Sequence, residues 1–198
     1  TAQVENSPPA PYSGSLILRK NSQLILWGSS NLNTLPKAPG GIIMNENSCL
    51  ILSTAEEVNF GPIELIENAS IYGGTSTNGQ DGIRKFNGVI KGGGKLIING
   101  VNRNQFRLET TNTFSGGLMA HSTQNEPFYI VAAADASFGT GDVHLKENSS
   151  LIIEANLNDT IANTAALSLE GVGSLRINGG GADPNKLYKL FLQSDETV

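Results

Sequence analysis

Cysteine is almost missing from this sequence: Cys49 is the single one in 198 residues. A lone cysteine excludes a disulfide framework within the chain. Its place in the apolar run "CLIL" predicts a buried free thiol. Charge is also scarce. Asp, Glu, Lys and Arg make up 16% of the residues, with a net charge of −5 and no basic stripe, so nucleic acid is not an expected partner. No apolar run nears the roughly 20 residues of a transmembrane helix, so no membrane span is expected. The opening stretch "TAQVENSPPAPYSG" lacks the basic start and apolar core of a secretory leader. That leaves a cytosolic protein, a mature secreted one or an excised segment.

What is plentiful is glycine and asparagine, 23 and 21 residues. Both tolerate left-handed backbone conformations, so many tight turns are expected.

Those turns recur with a fixed spacing. "KNSQLIL" (20–26), "ENSCLIL" (46–52), "ENASIYG" (67–73) and "KENSSLII" (146–153) share one pattern. Apolar pairs two apart (Leu24/Leu26, Leu50/Leu52, Leu96/Ile98, Leu151/Ile153, Leu175/Ile177) are each preceded, six residues upstream, by another pair. Those upstream pairs are Leu16/Leu18, Ile42/Met44, Gly88/Ile90, Val143/Leu145 and Leu167/Leu169. Ile63/Leu65 stands in the same relation to Ile71. The units begin at residues 16, 42, 63, 88, 143 and 167. A stretched copy, Leu118/Ala120 then Phe128/Ile130, fits the wide gap.

Alternation with period two indicates strands. Asn21, Asn47, Asn68, Gly93 and Asn148 share one place in the five-residue connection, which predicts a left-handed corner. Each strand can then pair in parallel with its equivalent one coil later. The fold expected is all-β: a right-handed parallel β-helix (solenoid) of about seven coils. Seven coils at roughly 4.8 Å each make a rod of about 30–35 Å. A β-sandwich would explain the number of strands but not the constant gap of six. The domain plan is an extended lead-in over 1–15, the solenoid over 16–182, and 183–198 as a cap or a further coil. "SPPAP" (7–11) cannot join a ladder. "DPNKLYKLFLQSD" (183–195) suits either a capping helix or an alternating strand.

Two elements have a familiar look. "TTNTFSGGLMA" (110–120) and "DASFGTGDVHLKENSSLII" (135–153) resemble the autotransporter-associated β-strand repeat. The match runs through Asn112, Thr113, Phe114, Ser115, Gly116 and Gly117. It continues through Ser137, Gly139, Gly141, Val143, Leu145, Leu151 and Ile153, covering about 45 residues. Leu118 departs from the usual Thr, and the turn near Pro127 is longer than the pattern. The resemblance implies a β-helical passenger segment of a type V secreted protein, displayed at the cell surface and anchored in the outer membrane through a part outside this chain.

Catalytic signals are sparse. Asp81, Asp135, Asp142, Asp159 and Asp183 occupy no equivalent repeat positions, so no catalytic residue is assigned. Glu46, Glu67 and Glu147 precede corner asparagines, which suits a solvated corner or, at Glu46 and Glu67, a weak cation site. His121 and His144 are the only histidines; His144 should point outward, and no metal role is assigned. No cofactor is expected.

The residues between the inward positions form the candidate binding column: Ile25, Ile51, Tyr72, Ile97, Tyr129 and Ile152, with Arg176 at its end. Ile17, Ile43, Val89 and Met119 extend it. An apolar outer column is either covered by loops or terminal segments, or it docks a partner. The partners expected are a host or neighbouring-cell surface protein or glycan, or a second copy. The loops 29–40, 74–87 and 121–127 could add contacts. The overall expectation is a structural or adhesive rod. The alternative is a carbohydrate-active β-helical enzyme, a polysaccharide lyase or hydrolase.

Overall fold

The structure, a computed structural model, describes residues 2–4, 14–27, 40–53, 58–73, 82–101, 103–122, 124, 126–154, 157, 159–171, 173–177 and 190–192. Strand β1 (Ala2–Val4) precedes the coils. The first coil holds β2 (Leu16–Leu18) and β3 (Gln23–Trp27). The next has β4 (Ile42–Met44), β5 (Cys49–Ser53) and β6 (Val58–Phe60). Then come β7 (Ile63–Leu65), β8 (Ala69–Gly73) and β9 (Ile83–Phe86), followed by β10 (Ile90–Gly92), β11 (Leu96–Gly100) and β12 (Gln105–Leu108). The rest are β13 (Leu118–Ser122), β14 (Phe128–Ala132), β15 (Val143–Leu145), β16 (Ser149–Ile153), β17 (Leu167–Leu169), β18 (Ser174–Ile177) and β19 (Leu190–Leu192).

Every pairing is parallel and joins strands of successive coils. Three sheets result: β1-β3-β5-β8-β11-β13-β15-β17-β19 (sheet A), β10-β7-β4-β2 (sheet B) and β18-β16-β14-β12-β9-β6 (sheet C). This is the expected β-solenoid, though its full coils number slightly fewer than seven. Among the described residues three coils, those ending in β6, β9 and β12, carry a strand on every side. In the coils ending in β14, β16 and β18 the first side is irregular.

The alternation faces as expected. Leu24, Leu26, Ile42, Met44, Leu50, Leu52, Ile63, Leu65, Ile71, Leu96, Ile98, Leu118, Leu145 and Leu151 are all buried in one continuous core. The side that the repeat left open is filled by aromatics. Phe60 stacks on Phe86 at 4.9 Å, Phe86 on Phe106 at 6.4 Å, and Phe128 meets Phe106 edge-on at 5.9 Å. Such pairs add to simple area burial and fix the third side coil by coil.

Two expectations need correction. The repeat units do not all stack on one another. In the early coils the strand–corner–strand unit spans sheets B and A; in the later ones it spans A and C. The change falls between β11 and β13, where Leu96 lies opposite Leu118 and Ile98 opposite Ala120. Its cause is the segment 111–116, which takes the place of a sheet B strand. Thr113 and Ser115 N–H donate to Ile90 and Gly92 O, and the Asn112 amide stands in for a peptide group. Its Oδ1 accepts from Ile90 N–H at 2.7 Å and its Nδ2 donates to Ser137 O at 2.7 Å.

The corner is also not uniform. Asn21, Asn47 and Asn148 take positive φ (57°, 55° and 52°), but Asn68 and Gly93 do not. Asn68 instead accepts the Lys95 N–H at 3.0 Å, and Gly92 (φ 110°) makes the bend one residue before Gly93. Where the left-handed corner does occur, it should be sensitive to side-chain shape. Asn148→Gly is expected to change stability by a few tenths of a kcal/mol at most, and Asn148→Val to cost about 1–2 kcal/mol. Denaturant midpoints of the two variants check this; equal midpoints would contradict it.

At the ends, β1 joins sheet A against β3, so the lead-in contributes a strand. Of the 183–195 segment the described residues, Leu190–Leu192, form a strand against β17 rather than a helix. "SPPAP" and most of loops 29–40 and 74–87 lie outside the described residues.

Candidate functional site

Sheet A presents the broadest outer face of the rod, and its register decides which side chains share a column. Ile25, Ile51 and Tyr72 lie side by side on successive strands, all half-buried. Asn99 and His121 continue that column. Ile97 falls in the neighbouring column, opposite Ser70 and Met119, two residues away from the line expected. Tyr129 and Ile152 lie on sheet C, opposite Gln105 and Val131 respectively. The single column expected is therefore two patches on two faces, because the unit changes sheets after β11. Ile17 and Val89 are exposed, whereas Ile43 and Met119 are half-buried.

Cys49 points to the same outer face, beside Ser70, and is half-buried rather than buried. Burial still pushes its thiol up, against a smaller opposite effect of the Ser70 hydrogen bond. It is therefore protonated at neutral pH and a poor nucleophile.

The second patch, on sheet C, carries an ion pair across it. Arg107 Nη2 and Glu154 Oε1 are 2.8 Å apart, with Glu109 on the Arg107 Nε at 2.8 Å. The pair spans β14, and Val131 lies opposite Arg107 in the register. Val131 faces outward by alternation yet is only 3% exposed.

Of the acidic column, Glu46 and Glu67 share one corner and Glu147 does not join them. Glu46 pairs with Lys20 at the corner between sheets B and A, while Glu147 belongs to the corner between A and C. Glu46 hydrogen-bonds Lys20 and holds its ammonium above the usual value, so the cation beside Glu46 is the chain's own. An open groove there is lined by Ile17, Arg19, Lys20, Asn45, Glu46 and Glu67. Asp142 is engaged structurally, accepting the Ala166 N–H at 2.8 Å. Asp81 and Asp183 lie outside the described residues. Among the described residues no three His, Cys, Asp or Glu side chains gather as a metal site, and no helix is long and apolar enough to cross a membrane.

Arg84 has no counterpart in the sequence expectations. It points into the core and is fully buried. Its Nη1 donates to Asn104 Oδ1 at 2.8 Å and its Nη2 to Leu52 O at 3.4 Å, while Asn104 Nδ2 donates to Gly73 O at 3.3 Å. Burial pushes the guanidinium down to about 10, leaving it charged at neutral pH. Two glycines make the room: a Cβ on Gly82 would lie 1.8 Å from Arg84 Nη1, and one on Gly73 2.8 Å from Asn104 Nδ2. The signal was in "GIRKF", where Phe86 as a core residue sets Arg84 inward by period two. The cluster ties three coils together from within and offers nothing to solvent.

No family model, no curated protein and no solved structure matches this chain.

Proposed function

We propose that the chain is a segment of an autotransporter-type passenger, displayed at the cell surface and serving as a structural or adhesive rod. The observation that carries the proposal is the work done by the residues of the resemblance. Asn112 links β10 to the following coil, and Phe114 fills the core beneath the irregular side. Gly117 (φ 86°) and Gly139 (φ 66°) sit where a Cβ would meet the Asp142 and Phe114 carbonyls at 2.5 and 2.1 Å. The motif is thus a device for stacking coils, as a long exported rod needs. A stiff solenoid acts by geometry: it holds faces and loops away from its anchor and sums many weak contacts along its length.

The adhesive surface proposed is the sheet A patch around Ile25, Ile51 and Tyr72, with a surface protein, a glycan or a second copy as partner. Two experiments test the proposal. An antibody against the chain should label intact source cells, and external protease should remove the label; labelling only after permeabilisation would overturn surface display. Ile51→Asp should abolish adhesion or self-association. Its cost in stability should be about 1 kcal/mol, roughly 2–4 °C in melting temperature, because Ile51 is half-buried. Adhesion unchanged by Ile51→Asp would remove this patch as the contact surface.

A further inference from the structure

The chain has two histidines, 23 residues apart in sequence, and the fold sets them on one patch of one face. His121 lies on β13 and His144 on β15, which are neighbours in sheet A. Alternation points both outward: Leu118, Ala120 and Ser122 are buried around His121, and Val143 and Leu145 around His144. Met119 lies directly opposite His144 in the register and two residues before His121. Diagonal neighbours of this kind have Cα atoms about 7–8 Å apart, within the joint reach of two imidazoles.

The groups flanking the pair matter as much. Beyond His144, Ser168 Oγ lies 2.6 Å from His144 Nδ1. Beyond His121, on the opposite side, stands Asn99, its register partner. The Asn99 Oδ1 is buried and has no hydrogen-bond partner. Each histidine thus has a polar group on its outer side and the other histidine on its inner side. In the tautomer whose Nδ1–H donates to Ser168 Oγ, the His144 Nε2 lone pair is free. An N–H of His121 turned to Asn99 Oδ1 would satisfy that oxygen and free the other ring nitrogen in the same way. Ring nitrogens fixed from behind by hydrogen bonds are the usual arrangement of metal-ligating histidines. Lys146 follows β15, its backbone N–H donating to Ala120 O beside His121. Its ammonium is drawn to Glu170 at 2.9 Å, toward the following coil.

We propose that Met119, His121 and His144 form a surface site for a soft-to-borderline transition-metal ion, copper in particular. Two imidazoles and a thioether select copper over hard cations such as Ca²⁺ and Mg²⁺. The site stands whether or not the rod is displayed on a cell.

The test uses the purified chain without a polyhistidine tag, titrated with Cu(II) alone and, under reductant, with Cu(I) against a chromogenic competitor. One ion per chain is expected. His121→Ala and His144→Ala should each weaken Cu(II) binding about tenfold or more, and the double variant about a hundredfold. Met119→Leu should weaken Cu(I) about tenfold while changing Cu(II) less, since the thioether prefers the softer ion. The electron paramagnetic resonance spectrum of the Cu(II) form should show nitrogen coupling that is lost in the double variant. Absence of saturable binding would overturn the proposal. So would one-to-one binding unchanged in the double variant, which places the copper on other ligands such as the terminal amine. A loss caused by only one of the two histidines would equally overturn the shared site.

Discussion

Leu151→Asn should come close to unfolding the coils around it, while Ile152→Asn, one residue on, should be tolerated. Leu151 lies on β16 between Ile130 and Leu175 of the adjoining coils and is completely buried. Replacing its two methyl groups with an amide forfeits the transfer free energy of the buried side chain, about 1.5–3 kcal/mol. The amide then adds an unpaired buried group, about 1–3 kcal/mol more. The sum, roughly 2.5–6 kcal/mol, approaches the total stability of an ordinary domain. In a solenoid each coil touches only its neighbours, so the loss should appear first as local opening around β16. Ile152 sits between Val131 and Arg176 on the outer face and is half-buried. Its replacement should cost about 1 kcal/mol. Urea midpoints, with hydrogen exchange resolved by coil, separate the two variants. The reverse order of damage would mean that the facing of β16 is inverted.

The strands and their facing were legible because two independent periods coincide. Period two separated Leu50 and Leu52 from Ile51, and the gap of six joined each pair to the next across a corner. Parallel pairing followed, since strands one coil apart have the long crossover that parallel neighbours require. The third side of the early coils was not legible. Its strands β6, β9 and β12 fall outside the repeat unit and are reached through connections of different length, so no spacing repeats. Only packing aligns Phe60, Phe86 and Phe106.

The candidate binding column was half legible for a related reason. The same unit, apolar pair, corner, apolar pair, can bracket either corner of a triangular coil, and nothing in the unit says which. Asn112 decides it, by filling a strand position with a side-chain amide, and a hydrophobic pattern does not record that. Ile97 moves one column over because Ile90 pairs with Ile63 rather than Leu65, before the unit changes sheets. Ile25, Ile51 and Tyr72 align as expected, and the change of sheets sends Tyr129 and Ile152 to another face. The same shift explains the histidines. Facing alone left His144 without a partner; register puts it diagonal to His121. Arg84 was missed because a charged residue interrupts the apolar signal that marks a core position, although its neighbour Phe86 preserves the alternation.

Adjacent glycines give the sharpest test of where the chain turns from β10 into β11. Gly92→Ala should be strongly destabilising and Gly93→Ala should not. Gly92 has a φ of 110°, a region nearly closed to residues with a Cβ. An added Cβ would lie 2.1 Å from the Leu65 carbonyl oxygen and 2.8 Å from its carbon, both backbone atoms of the paired strand β7. That oxygen also accepts the Gly94 N–H at 3.1 Å, so it cannot withdraw without breaking the turn. Backbone strain of about 1–3 kcal/mol and overlap of about 1–3 kcal/mol add to roughly 2–6 kcal/mol. A Cβ on Gly93 meets nothing within 4 Å, and its φ is not positive. Alanine there should be neutral, or stabilising by up to about 1 kcal/mol, because it narrows the unfolded ensemble. Alignment of the repeat puts Gly93, not Gly92, level with the left-handed Asn21 and Asn47. The two variants therefore decide between the alignment and the fold: a larger loss at Gly93 in equilibrium melts would restore the bend to the place the repeat assigns it.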